Sequence, residues 1–563
     1  MRQKLQRTLK SAKKKLYLRF LRRWIKNLPL KERVAFYGFG SLLILSFGVL
    51  LIAGFVFRGK VIPVPGGGYT EGVIGSPHYI NPVLSPSNEV DRALVKLIYP
   101  SLLTPASDGT LVPMLAQSVS VKDSGKTYEF ALKTNALWED GEPIRARDVV
   151  FTIKRIQDER TASPLNRLWS GVSVEAAGEN VVRFTLPRPY AFFLQNATLG
   201  ILPAHIWEKI SAQDMGASPY NRTPVGGGPY TLKATQGSGG TVTGALLARN
   251  PSFFGKKPFI DFVMFRFYPD SDHLFQALQK KEVDSIPITS LALYEKLTAE
   301  SGITLHSFLL PRYFAVFLNA KENKALEQKN VRQALLLAIK KNTIISDVLK
   351  GQAQAVSSPI SPALKNYYRP ELAHDTYDPK RARLLLSAAG FGKTPLHIEL
   401  VVIDNDALLA VANRVVEDWK AVGVDATLRD VTLESVRNEI LQKRSYQAFL
   451  FGQALALEPD PFSLWHSSQQ AYPGFNLSSY SNDKLDKLLE ELRETFDKGK
   501  QRELFANFQK TMENDLPALF LYSPYQIFAM RSTIQGVTPG VLSLPEDRFN
   551  QIAQWYVATK REN

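Results

Sequence analysis

Apolar and polar positions fall into three regimes along the chain. Residues 34–57 read VAFYGFGSLLILSFGVLLIAGFVF, 24 residues without a charge. At about 1.5 Å rise per residue, a helix of this length crosses a hydrocarbon layer of roughly 30 Å with some tilt. The next regime is mixed. Residues 128–134 (YEFALKT) alternate and predict a half-buried strand. Asp140-Gly141 marks a turn, 149–156 has the spacing of an amphipathic helix, and 181–186 and 262–268 read as strands. The last regime alternates more regularly. Val331, Ala334, Leu335 and Ala338 keep helical spacing, with Asn330 as the expected N-cap. A strand is expected at 396–403. A helix carrying Leu408, Ala412, Val415 and Trp419 should follow and end at Gly423. Strands at 424–428 and 447–451 come next, then a helical stripe through Leu485, Leu489, Leu492 and Phe496. Strands interleaved with helices predict an α/β architecture.

Charge changes the picture at one end only. Of the formal +16, the first 34 residues carry +12, and the remaining 529 carry +4. A basic tail before an uncharged span and a nearly neutral body argues against nucleic-acid binding, which needs charge on the folded part. The start is too long, and the apolar run too extended, for a cleaved signal peptide. An uncleaved signal anchor is therefore expected, with residues 1–33 cytoplasmic and the body outside. Leu16, Leu18, Phe20, Leu21, Trp24 and Ile25, set among the cations, suit either a tail lying along an anionic leaflet or a solvated topology signal. The chain has no cysteine, which removes disulfides, cysteine-ligated metals, thiol catalysis and a lipidated cysteine. Residues 61–68 (VIPVPGGG) predict a linker, and 237–240 (GSGG) a loop.

Signatures of common catalysis are missing. Gly226-Gly227-Gly228 is followed by Pro229-Tyr230 rather than Gly-Lys-Ser/Thr, so it predicts a tight turn entering a strand. His78, His205, His273, His306, His374, His397 and His466 form no metal-ligand spacing, and no G-x-S-x-G elbow occurs. Glu458-Pro-Asp-Pro461 sets two acids in a rigid turn.

Four stretches, in order, carry a resemblance. The first is Leu111-Val-Pro-Met-Leu-Ala116, followed by Leu137-Trp-Glu-Asp-Gly-Glu-Pro143 and Ala146-Arg-Asp-Val-Val-Phe151. The second is Pro224-Val-Gly-Gly-Gly-Pro-Tyr230, leading to Arg249-Asn-Pro-Ser-Phe-Phe-Gly-Lys-Lys-Pro258 and Leu278-Gln-Lys-Lys-Glu-Val-Asp284. The third is Val331-Arg-Gln-Ala-Leu335, running through Ala338-Ile339 to Gly351. The fourth is Glu458-Pro-Asp-Pro-Phe-Ser-Leu-Trp465, followed by Tyr480-Ser-Asn-Asp-Lys-Leu-Asp486. Over roughly residues 69–556 the chain resembles the peptide/nickel-type (family 5) extracellular solute-binding proteins of ABC importers, in particular the oligopeptide- and dipeptide-binding kind.

The resemblance implies a two-lobed periplasmic-binding-protein-like clamshell of class II with the extra subdomain of peptide binders, preceded here by one transmembrane helix. The first lobe would comprise 69–315 and 526–556, with 111–223 as an inserted subdomain, and the second 316–525. Crossings would fall near 311–319 and 521–527. It also implies a non-enzymatic monomer without cofactor or metal, outside the membrane, that takes a peptide or other small solute to ABC permease subunits. A sensory or scavenging role on the same fold stays open as the alternative, with a hydrolase behind it. Peptide members pair the ligand backbone with a strand, expected here around 85–90 and including Ser87 and Asn88. Tyr313 is expected at the first crossing and Tyr522 at the second, and Gln453 is expected among the ligand-binding residues. The family's usual Asp for a ligand α-amino group falls on Leu457, so Glu458 or Asp460 is expected to supply that charge.

Overall fold

The structure, a computed structural model, describes residues 24–57, 60–238, 241–372 and 377–562. The basic stretch 1–23, His374 and Gly239-Gly240 lie outside the described residues. The chain divides into two compact units, 1–64 with 559–563, and 65–558.

The first unit holds one long helix, Leu30–Phe57, which starts four residues before the uncharged run. Its segment Leu30–Val49 is long and apolar enough to span a membrane and is exposed along its length. The expected linker is partly strand, because Lys60–Pro63 pairs antiparallel with Thr559–Glu562.

The second unit is built on a 12-stranded mixed sheet. Its main path runs Asp425–Val431, His397–Ile403, Ala448–Ala454, Arg312–Leu318, Ala518–Arg531, Ser285–Pro287, Gly68–Ile74, Phe262–Tyr268, Thr241–Arg249 and Tyr230–Ser238. The strand Ala518–Arg531 joins two groups of strands. Residues 518–522 pair with Arg312–Leu318, while 525–531 pair with Ile303–Leu309. A separate four-stranded sheet forms from Ala116–Lys122, Thr127–Leu132, Val181–Thr185 and Ser173–Gly178.

Local chemistry explains these elements. His397–Ile403 and Asp425–Val431 are parallel neighbours. Parallel pairing requires a long crossover, and the helix Asp406–Lys420 supplies it. Asn405 caps that helix by accepting the Leu408 N–H, and Gly423 turns the chain back at φ 94°. In Arg312–Leu318 the alternation is hidden because both faces are covered. Val316 and Leu318 enter one core, and Tyr313, Ala315 and Phe317 the other.

Three sequence expectations fail here. The helix expected to carry Phe496 is Asp483–Glu494 and ends before it, at an extended Thr495. The helix Lys329–Ala338 is capped at Gln328, so Asn330 lies inside its first turn. Residues 85–90 are no strand: Ser85–Ser87 is a 3₁₀ turn, and Glu89 opens the α-helix Glu89–Ile98. Pro86 cannot donate to a ladder, and Asn88 caps the helix instead.

Candidate functional site

Ser87 is exposed at the end of the 3₁₀ turn. Next to it, the Asn88 carboxamide is fully used. It accepts the N–H groups of Val90 (2.8 Å) and Asp91 (3.2 Å), and its amide meets Ser76 O and His78 Nδ1. The helix it starts ends on the triple glycine. Gly227 and Gly228 donate their N–H groups to Ile98 O. A Cβ on Gly226 would lie 2.3 Å from that same oxygen, so the close approach needs glycine.

The crossing strands bring Tyr313 and Gln453 together. The Tyr313 hydroxyl donates to Gln453 Oε1 at 2.5 Å, and Gln453 Nε2 donates to Phe475 O at 3.0 Å. Both side chains are buried. Tyr522 points to the opposite face of the sheet and stacks on Phe314, with centroids 5.0 Å apart. Burial raises the hydroxyl pKa of Tyr313 and Tyr522, which keeps both neutral. The pair Tyr313–Gln453 thus holds the backbone of the 470–476 loop, whose Tyr472 and Phe475 rings are exposed.

The two acids of the rigid turn are separately engaged. Asp460 Oδ2 accepts Arg493 Nε at 2.9 Å and the Tyr190 hydroxyl at 3.2 Å, and Oδ1 accepts the Phe462 N–H. Arg493 lies over Phe462 and Tyr190. Its carbonyl accepts the Ala191 N–H at 2.7 Å. Phe192 then inserts beside Phe505. This corner therefore clasps the segment after Val181–Thr185 onto the helix Asp483–Glu494. Burial, followed by Asp460, raises the Tyr190 pKa.

Glu458 pairs through Oε1 with Lys498 Nζ at 3.1 Å, while its buried Oε2 has no hydrogen-bond partner. Burial alone would lower the Lys498 pKa; the charge of Glu458, with Tyr367 and the hydrogen bonds to both, together outweigh it and raise the pKa. Tyr190, Arg493 and Lys498 escaped the sequence reading because they lie 270, 33 and 40 positions from their partners. No sequence period links such distant positions. Among the described residues, no three His, Asp or Glu side chains are grouped to hold a metal.

The family model for the bacterial extracellular solute-binding proteins, family 5 (middle), matches residues 110–474. The chain belongs to that family. Oligopeptide-binding protein AppA of Bacillus subtilis is 27% identical to this family 5 protein over 530 residues, 88% of this chain and 92% of AppA. The dipeptide-binding protein of Escherichia coli is 27% identical over 497 residues, 82% of this chain and 90% of its own. Among solved structures, the ABC transporter substrate-binding protein CtaP of Listeria monocytogenes superposes with a TM-score of 0.76 at 27% identity. That match covers 87% of this chain and 99% of CtaP. The mixed α/β fold of the body is that of the family.

Proposed function

We propose that this family 5 protein is a membrane-anchored, extracytoplasmic receptor that captures peptides or a similar small solute and delivers them to an ABC-type importer. The observation that carries the reading is near-full-length similarity to proteins named for oligopeptide and dipeptide binding. The lobes would be 69–315 with 526–556, and 316–525, hinged where the chain leaves Leu309 for Arg312 and within 523–525. Closure about such hinges buries the solute and gives a permease one shape to recognise.

Among the expected contact residues, Ser87 is open to solvent and Glu458 has an acceptor to spare. Glu458 is assigned the ligand's amino group, with Tyr313 and Gln453 positioning the 470–476 loop. Asp460 is assigned to the clasp with Arg493. The helix Leu30–Phe57 is the anchor, with the basic tail cytoplasmic.

Thermal shift of the full-length protein in detergent, screened against short peptides of varied length and charge, tests the reading. Saturation at about 100 times Kd adds about 2.7 kcal/mol to stability. A flat response across the panel removes peptides as the solute. Mass spectrometry of co-purified ligands then identifies the solute class.

A further inference from the structure

Outside the crossing strands, the proposed lobes meet again where residues 186–193 reach the second lobe. This segment belongs to 111–223, whose core runs on into the first lobe: Tyr128, Phe130 and Trp138 share one buried cluster with Tyr69, Tyr230 and Val263. The Tyr128 hydroxyl donates to Tyr190 O at 2.7 Å and roots the segment in the four-stranded sheet. Its next bonds go across to the other lobe. The Ala191 N–H donates to Arg493 O at 2.7 Å, and the Tyr190 hydroxyl to Asp460 Oδ2 at 3.2 Å.

Aromatic rings are exchanged in both directions. Phe192 is 1% exposed and sits among the core residues of the second lobe, against Phe505. In return, the half-buried Phe496 of the second lobe packs against the core of the first. Its ring covers the turn at Gly125, where φ is 92° and a Cβ would collide with the ring. Glycine there serves the close approach as well as the turn. Each ring is thus seated in surroundings that the other lobe supplies. Returning that apolar surface to water is unfavourable in proportion to its area. Close-packed seats of this kind are left or kept, not stretched, so the exchange favours one setting of the lobes.

We propose that this exchange is an interlobe latch: the lobes swing about the two crossings only when Phe192 and Phe496 leave their seats, and the latch sets how far the solute cleft opens at rest. The latch presupposes the two-lobe reading above and is indifferent to which solute binds.

The chain has no cysteine, so spin labels can be placed without background. Ala177→Cys and Lys420→Cys put one label at an exposed position on each side, and Lys420→Cys with Glu434→Cys makes a control pair within the second lobe. Distance measurement between the spins, on the full-length protein in detergent, should give a narrow distribution for the first pair. Phe192→Ala should broaden it and lengthen its mean by more than the wild-type width. Because Phe192 is fully buried, Phe496→Ala is the second arm and should act in the same direction. The control pair should keep its distance in both variants. An interlobe distribution unchanged by both variants overturns the latch, as does a wild-type distribution already as broad as theirs. A control pair that broadens in both also overturns it, since the rings would then hold the second lobe itself together. The distances need no ligand, and the peptide screen needs no label. A latched protein that answers no peptide removes the receptor reading alone, and a peptide-stabilised protein with unaltered distances removes the latch alone.

Discussion

At the scale of single residues, the acids of the 458–461 turn divide by what their oxygens already touch. Glu458→Gln keeps the shape and removes the charge. It should weaken an amino-terminal peptide by about 2–5 kcal/mol, read by calorimetry against the amino-blocked peptide. Equal affinities for the two peptides in wild type would move amine recognition elsewhere. Asp460→Asn should leave affinity intact and lower stability by about 1–2 kcal/mol in urea unfolding, because Arg493 loses a partly buried partner. Asp91 supplies a pH test. It accepts the N–H groups of His78 and Tyr79, yet burial lifts its carboxyl above the usual value of 3.8. The folded state then keeps a proton that the unfolded chain has released, so this group's contribution is largest below about pH 3.8 and falls as pH rises through the raised value. The stability advantage of wild type over Asp91→Asn should narrow from pH 3.5 towards pH 6, by at most about 1.4 kcal/mol per pH unit for this one group. An advantage that widens would contradict the burial argument.

At the scale of elements, local signals were legible where one face is wet. The strand expected at 128–134 forms at Thr127–Leu132, and the helix expected at 149–156 forms at Ala146–Gln157. The run at 262–268 forms at those same residues. Arg312–Leu318 gave no alternation to read because both its faces are buried. Residues 85–90 misled for a different reason: the resemblance supplied a strand, while Pro86 and the Asn88 cap favour turn and helix. The site was less legible than the fold. Tyr313 and Gln453 could be named from the sequence only as candidates; their bond, the clasp of Tyr190 with Arg493, and the Lys498 partner depend on contacts distant in sequence. Two substitutions test the helix Glu89–Ile98. Asn88→Ala should cost about 1–2 kcal/mol through the lost cap, and Asn88→Asp should recover most of it, measured by thermal unfolding. Gly226→Ala should cost about 1–3 kcal/mol, since its Cβ would press on the backbone at Ile98.

At the scale of the whole molecule, the two units separate a membrane question from a binding question. If Leu30–Phe57 is the anchor, the protein should stay with membranes through salt and alkaline washes and keep its native N-terminus. A mature form starting near residue 60 or 70 would convert the helix into a cleaved signal. The body should bind the same peptides whether or not it is in a membrane.

The strand Ala518–Arg531 bonds with one group of strands through 518–522 and with the other through 525–531. Because of this, no single cut separates the two groups of strands in the body. A protease nick at 310–311 would leave both halves threaded by one uninterrupted strand, migrating as one particle under native conditions and as two bands only after denaturation. For the same reason, the half made of 69–315 and 526–556 cannot be expressed as one contiguous stretch of the gene.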